Sequence, residues 1–250
     1  MAADTKQLVD SLVDLGRLAM QFSRIDRTAC YHPGGERKET DADHTVMLGW
    51  IAPALAQRCF RSLDLGLVAQ FALIHDAVEA YAGDTQTLRI DGDGKAAKKA
   101  REEAAADRIF DEFNGHLPWF PSMIFRYEKQ IEPEARFIRG LDKCLPKIVH
   151  LLDDCAGLHE FGIDRDELTN TLAAQHDDMQ RYVGEFVELL NVRTELVSRV
   201  LAHPSWGGKD GSYWACPKPD CDTPRDEAGD CPVHEIPLIE VGADGHEVTT

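Results

Sequence analysis

The chain has 250 residues, 43% of them hydrophobic, with 44 Asp and Glu against 27 Lys and Arg and a formal charge of −17. That length and apolar share support a sizeable core, as one large domain or one domain with a small appendage. The negative field opposes non-specific nucleic-acid binding, the apolar runs are too short to span a membrane, and MAADTKQLVD lacks the pattern of a secretory signal, so a cytoplasmic protein is expected.

Apolar residues at Leu8, Leu12, Leu15, Ala19 and Phe22 recur at helical spacing and predict a first helix. The polar TACYHPGGERKETDAD reads as a loop, with Tyr31, His32, Arg37 and Lys38 at its surface. A second helix is expected near His44, capped by Asp41 or Asp43, with Pro53 kinking or ending it. A third runs from Asp64 to near Gly83, and after the loop TQTLRIDGDG comes a helix over KAAKKAREEAAADRIFDEF. HLPWFP reads as turns. A helix starting at Pro133 then carries FIRGLDKCLPKIVHLLDDC, and residues 164–202 hold one or two amphipathic helices. No alternating pattern is long enough for a strand, so residues 1–202 are expected to form an all-α domain. From His203 onward Gly, Pro and Asp replace the helical period, and residues 203–250 read as a separate, irregular extension.

In LIHDAVEAYAGD, residues 73–84, His75 and Asp76 stand side by side in an apolar helical run. Buried polar groups need a strong partner, and a divalent metal would satisfy both. Glu79 follows four positions after His75, on the same helix face. His44, just after the acidic DAD, and Asp142, in the apolar RGLDKCLPKI, are natural third and fourth ligands. Imidazole with carboxylate does not name the ion. His176–Asp177, in AAQHDDMQRY, has polar flanks and reads as a solvated helix face. The acidic balance leaves room for a phosphate substrate, because a metal and a few Arg residues invert the field locally.

The order H…HD…D, spread over helices, resembles the HD-domain metal-dependent phosphohydrolase superfamily, and HDAVEAYAGD is similar to the HDxxExxxGD signature of the HD-family 5′-deoxynucleotidases. The resemblance covers about residues 5–200 in element order. It implies an HD-type helical bundle in which His44, His75, Asp76 and Asp142 hold a divalent metal, whether Mn, Co, Zn, Fe or Mg. Glu79 would be the acid/base residue beside the attacking water, and Asp84 would hold the nucleoside sugar or the water network. Arg27, rather than Arg24, would bind phosphate. A nucleotide substrate and a homodimer are further implications. Three features depart from the family pattern: Thr28 follows Arg27 where a Trp is frequent, the loop from Arg27 to His44 is longer, and TQTL replaces a proline-containing LPTP. These bear on sugar preference and phosphate number, not on metal phosphohydrolysis.

Cys30, Cys59, Cys144 and Cys155 are scattered single thiols, whereas Cys216, Cys221, Cys231 and His234 crowd into the extension. That spacing fits a structural zinc of the Cys₃His type, which would supply folding energy to so small a segment. The expected activity is that of a 5′-(deoxy)nucleotidase releasing orthophosphate. Its rivals are a (deoxy)nucleoside triphosphate triphosphohydrolase, an alarmone hydrolase, and a non-catalytic nucleotide-sensing or partner-binding module, which would have no need of Glu79.

Overall fold

The structure, a computed structural model, describes residues 5–85, 89–90, 92–206, 213–218, 221, 225, 228–231 and 233–241. Most of the replacement TQTL falls outside them, at residues 86–88. Helix α1 (Thr5–Phe22) leads into a short hairpin, β1 (Asp26–Tyr31) and β2 (Lys38–Thr40), and then into α2 (Asp41–Cys59), α3 (Leu65–Ile74) and α4 (Glu79–Ala82). There follow α5 (Gly92–Phe113), α6 (Trp119–Lys129), α7 (Pro133–Asp142), α8 (Leu145–Leu152) and α9 (Ala156–Glu160). Helices α10 (Arg165–Val183) and α11 (Val187–Leu201) close the helical part, and β3 (Tyr213–Ala215) pairs antiparallel with β4 (Ile239–Val241) in the extension.

The all-α expectation holds, with corrections that each have a local cause. The segment expected to be a loop forms the β1–β2 hairpin, whose register shifts between Asp26 and Tyr31. Ala29 takes a left-handed φ of 60° there, so the bulge erases the alternation by which strands are recognised. Thr40, not Asp41 or Asp43, caps α2: its hydroxyl accepts from Asp43 N while the Asp43 carboxylate accepts from Thr40 N. Pro53 neither ends nor splits α2, because the buried stripe Leu48, Ala52 and Ala56 packs both halves against one core. In α1 the packed face is Leu15, Leu18 and Phe22, and Leu12 is exposed.

The third helix stops at Ile74 rather than near Gly83. The chain tightens through i→i−3 bonds, Ala77 N to Ile74 O and Glu79 N to Asp76 O, before α4 begins at Glu79. HLPWFP conceals the start of α6, since Pro118 and Pro121 sit at its cap and first turn, where a missing N–H costs no helical bond. Its buried Phe120, Met123, Ile124 and Tyr127 pack into the main core. Pro133 does open α7, but the run predicted to follow breaks after Asp142 and again at Asp154 and Cys155, both left-handed.

The main core joins α2, α3, α5, α6 and α7 through Phe71, Phe113, Phe137 and their neighbours. A second cluster, with Cys155, Leu158, Leu168, Leu172, Val200 and Trp206, unites α9, α10 and α11. Gly157 lets α9 press against β1: a Cβ there would lie 2.3 Å from Ala29 O. That contact fixes the hairpin beside the ends of α3 and α7.

Candidate metal centre

His44 sits in the first turn of α2, His75 and Asp76 follow the end of α3, and Asp142 is the last residue of α7. Tertiary packing brings one ligand atom from each to within 4.8 Å of the others. His44 Nε2 lies 3.0 Å from Asp142 Oδ1, and His75 Nε2 lies 2.9 Å from Asp76 Oδ2 and 3.9 Å from Asp142 Oδ1. Adjacent donors on a cation with arms of about 2.1 Å would stand about 3 Å apart. The donor set fits.

His75 makes the fit compelling. Its Nδ1–H donates to Ala72 O at 2.9 Å, so Nε2 is the ring atom turned toward the cluster. That nitrogen is buried, has no hydrogen-bond partner, and faces carboxylate oxygens. A cation between them would give that nitrogen and both carboxylates a common partner. On the far side of His44, Nδ1 points toward Glu39 Oε1 at 3.6 Å, the outer carboxylate that commonly orients a metal-bound imidazole.

Arg27, Glu79 and Asp84 line one cleft with Asp76 and Asp142. Arg27, on β1, donates from Nη1 to Asp76 Oδ2 at 3.1 Å and to Asp41 Oδ1 at 3.3 Å, whereas Arg24 is exposed. Asp84 accepts from Thr28 N at 3.1 Å and so ties the chain after α4 to β1. Gly83 makes the turn between them, with a φ of 73° that a side chain would resist. Glu79 is 4% exposed, with Oε2 unpartnered and Oε1 3.6 Å from Lys98 Nζ. Burial, then Asp76, Asp41 and Asp84, push its carboxyl up to about 10. Burial alone would also raise Asp142, but Lys143 and His44 hold it well below the usual carboxylate range. Burial opposes charge on Arg27 too, yet Asp76, Asp142 and Asp84 raise it above its ordinary value.

The HD-domain family profile matches residues 20–182, which span all four of these residues. The chain belongs to the HD-domain family. Among its relatives, 5′-deoxynucleotidase HDDC2 of Xenopus laevis is 27% identical over 135 residues, covering 54% of this chain and 65% of that one. The Homo sapiens protein of the same name is 29% identical over 135 residues, covering 54% and 64%. This chain therefore spans just under two thirds of the curated relatives it matches. The crystal structure of a predicted metal-dependent phosphohydrolase from Magnetospirillum magnetotacticum MS-1 superposes with a TM-score of 0.64 over 81% of this chain and 97% of that one, at 22% identity, a likeness of fold.

The HD centre includes groups that sequence reasoning passed over. Glu39 and Asp41 are buried beside His44 and Arg27, and their spacing in KETDADH was the available signal. Lys143, next to Asp142 in sequence, donates to Asp142 Oδ2 at 2.8 Å. Lys98 gave no signal, because it lies on a polar helix. His176 lies apart from the HD centre, against Gln180 and Arg193. His32 and Arg37 hold Asp43 and so tie the hairpin to α2.

In the extension, Cys216, Cys221, Cys231 and His234 also place one ligand atom each within 4.8 Å of the others. The Cys221 and Cys231 sulfurs are 3.5 Å apart, and His234 Nδ1 lies 3.5 Å from Cys216 Sγ and 3.7 Å from Cys231 Sγ. A tetrahedron with arms of about 2.3 Å has edges of about 3.8 Å, so these four residues fit zinc. Burial opposes ionisation of Cys231, but the backbone N–H groups of His234 and Val233 and the His234 ring bring its thiol down to about 6.

Proposed function

We propose that the chain is a metal-dependent phosphohydrolase of nucleotides, a 5′-(deoxy)nucleotidase that releases orthophosphate. The observation that carries this reading is the bare His75 Nε2 facing two carboxylates in a cleft that also holds Arg27 and Glu79. The names of the curated relatives support the substrate class.

His44, His75, Asp76 and Asp142 would hold the divalent cation, which when bound supplies Lewis-acid polarisation of a phosphoryl oxygen and lowers the pKa of water. Arg27 has five N–H donors, more than its carboxylate contacts use, and the remainder suit phosphoryl oxygens. Glu79, whose carboxyl is pushed up by burial and by Asp76, Asp41 and Asp84, is placed to give a proton to the leaving alkoxide and to take one back afterwards. Lys98 holds Glu79 in that position, and Asp84 shapes the cleft by anchoring Thr28. The extension from residue 203 would be a separate unit closed by zinc on Cys216, Cys221, Cys231 and His234.

Product analysis tests the reading. Metal-loaded protein is expected to release orthophosphate from dAMP or AMP, and His75→Ala to release none. Tripolyphosphate from dATP, with no orthophosphate from monophosphates, would refute the nucleotidase reading.

A further inference from the structure

The cleft continues past the HD centre between β1, α8 and α10, where Lys147, His150 and Gln175 meet Leu168 and Leu172. Lys143, Lys147 and His150 recur at helical spacing along α8 and the residues before it. Within α8, at about 1.5 Å per residue, this stripe carries His150 roughly 4.5 Å beyond Lys147 along the axis.

Its inner end has an unusual charge. Lys147 is 5% exposed, and its Nζ donates to Lys143 O at 3.0 Å and to Gln175 Oε1 at 3.2 Å, both neutral acceptors. An ammonium carries three N–H donors, so one remains. Among the described residues no carboxylate comes within 4.0 Å of it. Arg193, 2% exposed, lies behind, bonded to Leu172 O and His176 Nδ1 and likewise without a carboxylate. His150 is 5% exposed, and its Nδ1 is buried without a hydrogen-bond partner. In a chain of net charge −17, Lys147 and Arg193 stand buried together here with no carboxylate in contact among the described residues. Burial and Arg193 draw the Lys147 amine down to about 8, which an arriving anion would reverse. A neutral heterocycle would suit Leu168 and Leu172 but leave the ammonium uncompensated.

We propose that Lys147, His150 and Gln175 form a second anion subsite, which holds a phosphoryl group of the substrate other than the one cleaved at the HD centre. The preferred substrate is then a nucleoside bisphosphate that spans the cleft. This rests on the phosphohydrolase reading of the HD centre, but it can be measured without turnover.

The test is calorimetric binding of adenosine 3′,5′-bisphosphate and adenosine 5′-monophosphate to the full chain carrying Glu79→Gln, which slows hydrolysis. The bisphosphate is expected to bind about tenfold more tightly or better, as charge-assisted bonds allow. Adding Lys147→Met is expected to remove that advantage and leave monophosphate binding unchanged. With Lys147 intact, the His150 imidazole resonance should shift with the bisphosphate and not with the monophosphate. Equal affinities, an advantage that survives Lys147→Met, or a His150 shift common to both ligands would overturn the subsite. A persistent bisphosphate advantage in a protein that releases orthophosphate from no nucleotide would support the subsite and refute the nucleotidase reading alone.

Discussion

The HD centre draws His44, His75, Asp76 and Asp142 from α2, α7 and the end of α3, all seated on one continuous apolar core. Cys216, Cys221, Cys231 and His234 come instead from one short stretch whose described apolar cluster is Cys216, Cys231 and Leu238, two of them ligands themselves. The first set is preorganised by packing that would exist without any ion. In the second, on the zinc reading, folding and ligation would be one event, because the segment has little apolar surface with which to order itself. Similar donor counts would then hide opposite dependence on metal.

Removing metal should break the symmetry most visibly. Structural zinc contributes about 10–16 kcal/mol of apparent binding energy in small domains, so strong chelation should expose the extension to proteolysis. The helical domain should keep its circular dichroism, its thermal midpoint falling only by the loss of ion binding at the HD centre. Equal melting of both parts would erase the distinction drawn here.

Glu79→Gln separates chemistry from metal binding at the HD centre. Turnover is expected to fall by about 10²–10⁴-fold, the usual worth of a positioned acid or base, with metal content unchanged. Metal loss measured by elemental analysis would instead make Glu79 a part of the ligand shell.

Gly157→Ala tests whether packing alone builds the HD cleft. A Cβ 2.3 Å from Ala29 O forces α9 off the hairpin that carries Arg27. The expected cost is about 1–3 kcal/mol in denaturant unfolding, with weaker phosphate binding. Unchanged stability would mean that the hairpin is held elsewhere.

The narrowest effect is a pH slope confined to the helical domain. Burial, then Lys147, depress the His150 imidazole from its ordinary value to about 3. The unfolded chain therefore binds the extra proton between about pH 6.5 and 3, so His150 makes the fold lose up to about 1.4 kcal/mol per unit as pH falls through that window. His150→Phe should flatten this part of the stability curve, and an identical slope in the variant would show that His150 is not buried neutral.

The candidate metal donors stood out more plainly than the element boundaries. His75–Asp76 stood out because two polar groups interrupt an apolar run, and His44, Asp142 and the clustered cysteines followed from residue type. The β1–β2 hairpin was hidden by the bulge at Ala29, and α6 by prolines that read as turns but occupy its cap and first turn. Glu39 and Lys98 looked like ordinary surface charges, since what packs over them comes from elements distant in sequence. The sequence by itself determined which atoms could bind metal and that helices would carry most of them, because ligand chemistry and apolar period are local. Only tertiary structure decided that His75 Nε2 would be left bare before two carboxylates, and that Lys147 would be buried with no acid beside it. Both depend on where separate helices end and meet.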